Sequence, residues 1–222
     1  MLPNAQVPAG RVYKMSTLEI QELKRQLQDY TSKNWIRVSQ SMYAASVLFA
    51  RKANGQLSMC IDYRQLNRYT KRVEFPLLNI GTILDTLGES KIFSALDLTQ
   101  GYHQVRIHEV PDIHKTAFKT QFGLFEFTVL PFGLTAAPST FQRLMNHVLQ
   151  PHEKDYAICY LDDILIHSKT QEYHLSKYLR EILTLLAKKT LRMGNCSFAL
   201  SHLDYLGHAI SVQGIQQSNK KI

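Results

Sequence analysis

The apolar positions near the start of the chain follow a helical period. Leu23 and Leu27 lie four residues apart, and the residues between them are polar or charged. The segment Ser16-Thr17-Leu18-Glu19 before them has the pattern of a capping box, in which serine and glutamate side chains bond the first free backbone groups of a helix. The pattern predicts an amphipathic helix that ends before Trp35.

Short apolar runs predict a series of strands. The runs Val47–Arg51 and Leu57–Asp62 are separated by Asn54-Gly55, the strongest short signal for an antiparallel hairpin. The runs Tyr156–Leu161 and Ile164–Ser168 are separated only by two aspartates, which predicts a second hairpin. Further strands are expected at Ile92–Leu98, at Gln104–Ile107 and, as a pair hinged at Gly207, over Leu203–Val212.

Longer periodic stretches predict further helices. Ala137–Leu149 has Pro138 in its first turn, where proline is tolerated, and repeats its apolar residues on one face. A long helix is expected from about Gln171 to Lys189 and a shorter one near Ile80–Leu87. Helices and strands mix without a regular alternation, which favours an α+β fold over a doubly wound sheet.

The length and composition of the chain are those of a folded globular protein. Its 222 residues are 45% hydrophobic and 20% charged, which is enough for one large domain or two small ones. No apolar run reaches the roughly 18 to 20 residues of a membrane span, and the start lacks the apolar stretch of a signal peptide. We therefore expect an intracellular protein, cytoplasmic or nuclear, that is neither secreted nor transmembrane.

The chain carries an excess of positive charge. Lysine and arginine number 26 against 18 aspartates and glutamates, which gives a net charge of +8. Such a charge attracts a polyanion such as nucleic acid. Solvated surface lysines produce the same balance, so the charge alone leaves both interpretations open.

Cysteine and histidine patterns argue against zinc chemistry. The three cysteines, Cys60, Cys159 and Cys196, are far apart and odd in number, so they indicate neither a disulfide framework nor a four-ligand zinc site. We expect them to be buried, reduced thiols. The nine histidines include no His-Glu-x-x-His pattern or His/Cys cluster at zinc spacing.

Two adjacent aspartates occupy the tip of the second predicted hairpin. Asp162 and Asp163 repel each other there and add nothing to an apolar core, so we expect a cation to compensate them. A divalent metal ion would do so. The alternative is an ordinary turn, because aspartate hydrogen-bonds its own backbone in turns.

A third aspartate ends the predicted strand Ile92–Leu98. By itself, Asp97 is more simply interpreted as a helix N-cap or turn residue. If it meets Asp162 and Asp163 on neighbouring strands, the three form an oxygen-only site that suits Mg²⁺. Two such ions about 3.5 to 4 Å apart perform phosphoryl transfer by activating a 3′-hydroxyl and stabilising the leaving pyrophosphate.

An ordered set of motifs connects these aspartates to a known family. The motifs are Met59–Asn67 (MCIDYRQLN), Phe93–Leu98 (FSALDL), Gly101–Val105 (GYHQV), Lys115–Phe118 (KTAF), Leu130–Gln142 (LPFGLTAAPSTFQ), Tyr160–Ile166 (YLDDILI) and Tyr205–His208 (YLGH). With them the chain resembles the reverse transcriptases of gypsy-type long-terminal-repeat retrotransposons. Each block is a weak signal, whereas the ordered set is highly specific.

The resemblance implies a right-hand polymerase architecture of fingers and palm, with an antiparallel catalytic sheet in the palm. The fingers are expected at about residues 16–92 and 108–135, and the palm at about 93–107 and 136–215. The thumb, RNase H, protease and integrase regions of such polyproteins are expected to lie outside this chain.

The resemblance also implies the catalytic and nucleotide-binding residues. Asp97, Asp162 and Asp163 would form the catalytic cluster and hold two Mg²⁺ ions, with Mn²⁺ as a possible replacement. The incoming dNTP would meet Tyr102 as the steric gate against a 2′-hydroxyl, Phe132 and Gly133 in the pocket wall, and Lys52 at the triphosphate. The alternatives are a core aromatic residue for Tyr102 and a solvated lysine for Lys52.

Nucleic-acid contacts are implied at two further places. Arg64 falls where the family touches the template, and Leu206-Gly207 falls at the primer grip, where glycine lets backbone approach nucleic acid closely. A plain structural function in a hairpin or core is the alternative for both.

Four positions depart from the family pattern. Ser58 stands where the family usually has an arginine over the triphosphate, so one charge-assisted contact is missing. Ser46, Gly81 and Asn195 replace a usual proline, acidic residue and lysine. Scattered departures of this kind are typical of a decaying copy of an element.

These observations leave three hypotheses of function. The first is an RNA-directed DNA polymerase that extends a primer with dNTPs on an RNA or DNA template, without a membrane partner, and once joined to RNase H and integrase regions of a polyprotein. The second is a catalytically inactive remnant that still binds nucleic acid, and the third is a basic structural domain. The retained carboxylates favour the first hypothesis, and Ser58 favours the second.

Overall fold

The described helices and strands fall into two units, the first built on one sheet and the second on two. The computed structural model describes residues 10–51, 55–71, 86–108, 112–150, 156–189 and 191–218. The first unit takes the described residues of Met1–Val73 and Tyr102–Ala137, and the second takes those of Glu74–Gly101 and Pro138–Ile222.

The elements alternate irregularly between helix and strand, as expected for an α+β protein. In chain order they are α1 (Thr17–Ser32), β1 (Ile36–Val38), β2 (Ala45–Arg51), β3 (Leu57–Asp62), α2 (Arg64–Arg68), β4 (Ile92–Asp97), β5 (Phe118–Thr120), β6 (Gly123–Phe127), α3 (Ala137–Leu149), β7 (Ala157–Tyr160), β8 (Asp163–Ser168), α4 (Gln171–Tyr173), α5 (Arg180–Lys188), β9 (Ser197–Leu200), β10 (His202–Tyr205), β11 (His208–Ser211) and β12 (Gly214–Gln217). Short 3₁₀ helices cover Gly101–Gln104 and Ile113–Thr116.

The first unit is built on a sheet whose described strands run in the order β1-β6-β5-β2-β3. The β2–β5 pair is parallel, and the other neighbours are antiparallel. The predicted hairpin of β2 and β3 is confirmed, with Val47 opposite Ile61. Residues 52–54 between these two strands, among them Lys52, lie outside the described residues.

Helix α1 covers this sheet with its apolar face. Its predicted capping box is confirmed: the Ser16 backbone N–H donates to Glu19 Oε2 at 2.7 Å, and the Glu19 N–H donates to Ser16 Oγ at 3.4 Å. Leu23 and Leu27 are buried in a core that also contains Val47, Phe118 and Phe127 among others. The helix is therefore fixed by its cap at one end and by apolar packing along one side.

The second unit contains two antiparallel sheets. The larger has its described strands in the order β7-β8-β4-β9, and the smaller has the order β10-β11-β12. Their common core includes Phe93 from β4, Leu165 from β8, and Leu203 and Tyr205 from β10. The strand pair hinged at Gly207 is thus confirmed, and it continues into a third strand that the sequence did not predict.

The helix predicted from Gln171 to Lys189 contains a π-helical segment, His174–Leu179, between α4 and α5. The His174 side chain is fully buried, with Nε2 2.7 Å from Ser94 Oγ of β4 and Nδ1 2.9 Å from Ser168 Oγ of β8. These bonds fasten the helical segment to two strands of the larger sheet. Periodicity showed the helix but not this change in its winding.

One predicted strand is wrong, and most of one predicted helix lies outside the described residues. Gln104–Ile107 alternates like a strand, but the chain turns through the 3₁₀ helix Gly101–Gln104, and Arg106 forms only an isolated bridge to Val129. Two backbone bonds flank this bridge, from the Ile107 N–H to the Thr128 carbonyl (3.1 Å) and from the Leu130 N–H to the Val105 carbonyl (2.8 Å), and the pairing is too short to form a strand. The helix predicted near Ile80–Leu87 and the substituted residue Gly81 lie largely outside the described residues.

The cysteines are free, as expected, but they are not all buried. Cys159 is buried, Cys196 is half-buried, and Cys60 is exposed because it lies on the edge strand β3. Among the described residues, we find no helix with the length and apolar character needed to cross a membrane.

Candidate active site

Strand pairing in the larger sheet of the second unit brings two of the predicted catalytic residues together. In the antiparallel pair of β4 and β8, Asp97 lies directly opposite Asp163. Residues opposite each other in such a pair project from the same face of the sheet. The carboxylates of Asp97 and Asp163 therefore share one face, although 65 other residues separate them in the sequence.

The third aspartate occupies the turn between β7 and β8. Tyr160 pairs with Asp163, so that only Leu161 and Asp162 form the loop. Leu161 has a φ of 53°, in the left-handed region that leucine rarely adopts. The Asp162 carbonyl accepts a hydrogen bond of 2.9 Å from the Leu98 N–H, just beyond β4. The turn therefore lies beside the end of the strand that carries Asp97.

The Asp162 carboxylate is packed against backbone. Its Oδ1 atom is buried and, within the described part of the chain, accepts no hydrogen bond. A Cβ atom added at Gly101 would lie 2.5 Å from this oxygen and 2.9 Å from Phe141 Cζ, distances that real side chains do not tolerate. A side chain at position 101 would therefore have to displace the carboxylate of Asp162 and the ring of Phe141.

Burial and like charges make this cluster electrostatically unfavourable without a cation. Burial first, and then the charges of Asp163 and Asp97, raise the pKa of Asp162 to about 6. Burial and the charge of Asp97 also raise the pKa of Asp163. A bound cation would reverse the effect of the like charges, because it stabilises the ionised carboxylates.

The donor atoms suit a hard divalent cation, although the side chains are not arranged as a finished metal site. In the residues with described positions, no three His, Cys, Asp or Glu side chains lie close enough together to hold a metal ion. The oxygens offered by Asp97, Asp162 and Asp163 are nevertheless the ligand type that Mg²⁺ and Mn²⁺ prefer. The unpartnered Oδ1 of Asp162 is the atom for which a cation would supply the missing partner.

In the first unit, Tyr102 is buried and packs against a more exposed phenylalanine. The ring centroids of Tyr102 and Phe132 are 4.8 Å apart, and Phe132 is half exposed. His103 contacts Phe132 edge-on and stacks on Phe127. Burial, helped by the charge of Lys33, lowers the pKa of His103 to about 4, so this ring is neutral at physiological pH.

The loop after Phe132 is held by an asparagine whose function the sequence did not predict. Gly133 has a φ of 92°, and its carbonyl accepts a hydrogen bond of 2.8 Å from Asn67 Nδ2. Asn67 Oδ1 in turn accepts a bond of 2.9 Å from the Thr135 N–H. Asn67 belongs to the MCIDYRQLN motif, but only the structure shows that its amide bridges two backbone groups of the LPFGLTAAPSTFQ motif.

The structure describes two of the three residues considered for template and triphosphate contacts. Arg64 is exposed and forms a two-pronged ion pair with Asp62, with N···O distances of 2.8 and 2.6 Å. Ser58 lies in β3 opposite Ala50 and is half-buried. Lys52 falls outside the described residues.

The predicted primer-grip residues form the tight turn between β10 and β11. Leu206 and Gly207 have φ values of 50° and 78°, both left-handed. The neighbouring Tyr205 donates a hydrogen bond of 3.1 Å from its hydroxyl to the Asp163 carbonyl. The turn and the acidic hairpin are therefore joined through Tyr205, a contact that no pattern in the sequence predicts.

Comparison with known proteins identifies the family. Residues 50–210, well over half of the chain, match the model of a family described as reverse transcriptase (RNA-dependent DNA polymerase). The chain belongs to the reverse transcriptase family. This reverse transcriptase domain is 34% identical over 221 residues to the transposon Tf2-3 and Tf2-7 polyproteins of Schizosaccharomyces pombe, and it spans 16% of their length.

Solved structures show that the domain has the predicted fold. The foamy viral protease-reverse transcriptase in complex with an RNA/DNA hybrid matches 98% of this chain with a TM-score of 0.88, 20% identity and 29% of its own length covered. The same viral protein in complex with double-stranded DNA gives a TM-score of 0.86 at 21% identity, with 98% of this chain and 46% of that chain covered. The predicted α+β fingers-and-palm fold of reverse transcriptases is confirmed.

Proposed function

We propose that this reverse transcriptase domain extends the 3′-hydroxyl of a primer with dNTPs on an RNA or DNA template. The main support is the placement of Asp97 opposite Asp163, beside an Asp162 side chain whose buried Oδ1 atom lacks a hydrogen-bond partner in the described chain. The net charge of +8 favours a nucleic-acid substrate. The Tf2 relatives and the ordered motifs support an origin in the polyprotein of a gypsy-type retrotransposon, with RNase H and integrase regions elsewhere in it.

The proposed chemistry uses the acidic cluster of the second unit. Two Mg²⁺ or Mn²⁺ ions held by Asp97, Asp162 and Asp163 would lower the pKa of the primer hydroxyl and neutralise the leaving pyrophosphate. The carboxylates themselves act by binding and by remaining ionised. The raised pKa values of Asp162 and Asp163 in the absence of a cation indicate that metal binding and deprotonation are coupled at these two residues.

The first unit would supply the nucleotide and template contacts. We propose that the fingers, predicted at about 16–92 and 108–135, lie mainly in this unit and that the palm, predicted at about 93–107 and 136–215, lies mainly in the second; residues 86–92 and 102–107 fall in the opposite unit. The buried Tyr102 ring would exclude a 2′-hydroxyl, Phe132 and Gly133 would line the nucleotide pocket, and Lys52 would contact the triphosphate. Arg64 would contact the template, and Leu206-Gly207 of the second unit would contact the primer. We expect DNA synthesis by this domain to take place inside the cell, in the cytoplasm or the nucleus.

Primer extension tests the proposal directly. The chain is incubated with a primer on an RNA template, dNTPs and Mg²⁺, beside the variant Asp162→Asn. The proposal predicts extended primers with the unmodified chain and none with the variant. Binding of the template–primer without extension by the unmodified chain would favour an inactive remnant instead.

Ser58 is the observation that favours that second candidate. Without an arginine at this position, one charge-assisted phosphate contact is missing, which would weaken dNTP binding by roughly 1.5 to 3 kcal/mol. A loss of that size raises the dNTP concentration needed by about tenfold or more. Extension should therefore be assayed at millimolar as well as micromolar dNTP.

A further inference from the structure

The acidic turn has a backbone conformation that its own sequence does not favour. Leu161 lies in the left-handed region, at a φ of 53°, where its Cβ atom is crowded by the backbone. A non-glycine residue stays in this region only when its surroundings hold it there. Asp162 follows directly, so the direction of its carboxylate depends on whatever holds Leu161.

A single side chain, Gln142 of α3, contacts the turn on both sides. It is 1% exposed, and its Oε1 accepts a hydrogen bond of 2.7 Å from the Leu161 N–H. Its Nε2 donates bonds of 2.9 Å to the Cys159 carbonyl and 2.7 Å to Asn146 Oδ1. One amide thus holds the backbone before and after Tyr160, which requires a side chain with both a donor and an acceptor.

The Asp162 carboxylate has no comparable support of its own. Its Oδ1 accepts no hydrogen bond in the described residues, and it lies so close to Gly101 that a Cβ atom added there would be 2.5 Å away. Beyond this packing, its position is set by the backbone. That backbone is fixed by Gln142 at Leu161 and by the 2.9 Å bond from the Leu98 N–H to the Asp162 carbonyl.

We propose that Gln142 is a positioning residue for metal binding, and that its amide sets the direction in which Asp162 presents its carboxylate to a divalent cation. The inference rests on the proposed function of the acidic cluster. Residues that orient a metal ligand typically change metal affinity or activity about 10- to 100-fold when they are replaced. Gln142 reaches the metal only through Leu161 and Asp162.

Mn²⁺ binding measured by electron paramagnetic resonance tests the proposal without relying on activity. The proteins compared are the full chain, Asp162→Asn, Gln142→Met and Asn146→Ala. Methionine keeps the length of the side chain but removes both hydrogen-bonding atoms. Asn146→Ala is the matched control, because it removes a partner of Gln142 on the same helix and leaves both bonds to the turn.

The expected result is that Asp162→Asn abolishes Mn²⁺ binding to the cluster. Gln142→Met should weaken it about tenfold or more, and Asn146→Ala should leave it within about twofold. The same order is expected for the Mg²⁺ concentration that half-saturates primer extension, with template–primer affinity unchanged. If Gln142→Met does not fold by circular dichroism, Gln142→Leu takes its place, because it also removes both hydrogen-bonding atoms without adding a charge.

Two results would overturn the positioning proposal and leave the polymerase proposal intact. One is unchanged Mn²⁺ binding in the folded Gln142 variants, and the other is an equal loss in Asn146→Ala. Mn²⁺ binding that survives Asp162→Asn would instead overturn the metal site itself, and the positioning proposal with it.

Discussion

At the scale of single residues, Gly101 gives a steric test of the acidic cluster. In Gly101→Ala the added methyl group would lie 2.5 Å from Asp162 Oδ1, so the carboxylate has to move. Displacement of a catalytic group by about 1 Å lowers the rate by about 100-fold, and we expect a loss of this size in primer extension.

The control for this variant is Gly214→Ala in β12. Gly214 has a φ of 117°, so alanine is strained there, but its Cβ would meet nothing within 4 Å. It should lower stability without lowering the rate of the folded protein. If Gly101→Ala and the unmodified chain extend primers at equal rates, the position of the Asp162 carboxylate beside Gly101 is not needed for catalysis.

Asp162 gives a second residue-scale prediction, which concerns how the free energy of unfolding depends on pH. Its pKa in the folded, metal-free protein is about 6, above the ordinary value of 3.8, so the folded state binds the proton more tightly than the unfolded state. The ionised group therefore destabilises the fold above pH 6, and this penalty fades as the pH falls through 6 towards 3.8. In EDTA at pH 7.5, Asp162→Asn should be more stable than the unmodified chain by about 1 kcal/mol, a value discounted for partial solvent exposure.

Urea unfolding at pH 7.5 and pH 5 measures this difference. The advantage of the asparagine variant should shrink at pH 5, and the contributions of other titrating groups, such as His167 and His174, cancel between the two proteins. An asparagine variant less stable than the unmodified chain at pH 7.5 would contradict the described environment of Asp162.

Tyr102 gives a third residue-scale prediction, on sugar selection. If its buried ring is the steric gate, Tyr102→Ala removes the group that meets the 2′-hydroxyl, and ribonucleotides should be incorporated. The measurement is kcat/KM for a dNTP divided by that for the matching ribonucleotide. If the variant still extends primers with dNTPs and this kcat/KM ratio is unchanged, Tyr102 is not the steric gate.

At the scale of elements, Tyr205 links the turn between β10 and β11 to the acidic hairpin. Tyr205→Phe removes the hydroxyl that donates to the Asp163 carbonyl and should lower the free energy of unfolding by about 1 kcal/mol. If the same contact is needed in the transition state, extension slows by about fivefold.

Tyr156→Phe is the matched control for this element-scale prediction. The Tyr156 hydroxyl bonds Glu181 of α5, and Tyr156 precedes β7 at the end remote from the acidic turn. Comparable destabilisation with no change in rate is expected. An equal loss of rate in both variants would show that Tyr205 acts only through stability.

Elements were predictable from sequence where their own residues carry the signal. The capping box of α1, the helical face of α3 and the alternation or apolar runs of β2, β3, β4 and β8 are local, and each was found. The three-residue strands β1 and β5 were not, because their pairing is tertiary: Ile36 lies opposite Phe127, and Ala45 lies opposite Phe118. Gln104–Ile107 shows the converse, an alternating pattern that pairs only through the isolated bridge between Arg106 and Val129.

The same division applies to the candidate site. Asp97, Asp162 and Asp163 were found because clustered carboxylates are rare without a cation and because the motifs around them are specific. The functions of Gln142 and Asn67 were not predicted, because both side chains bond backbone that is distant in sequence. Gln142 bonds Leu161, 19 residues away, and Asn67 bonds Gly133, 66 residues away. A side-chain amide looks the same in a sequence whether it faces solvent or holds a turn.

At the scale of the whole molecule, the fold is retained although most of the sequence has changed. This chain matches 98% of its length to the foamy viral protein with only 20% identity. The sheet that brings residues 97 and 163 together needs apolar strands of the right register rather than particular side chains. The acidic residues at the ends of those strands are what make the fold a candidate enzyme.

The central claim is that three aspartates from distant parts of the chain act as one site for nucleotide addition. The most direct test is single-turnover addition of one dNMP to a primer on an RNA template, across a Mg²⁺ titration, for the unmodified chain and for Asp97→Asn, Asp162→Asn and Asp163→Asn. We expect Mg²⁺-dependent addition by the unmodified chain and a loss of about 1,000-fold or more, about 4 kcal/mol, in every variant. A variant that keeps its rate within tenfold of the unmodified chain would contradict the claim.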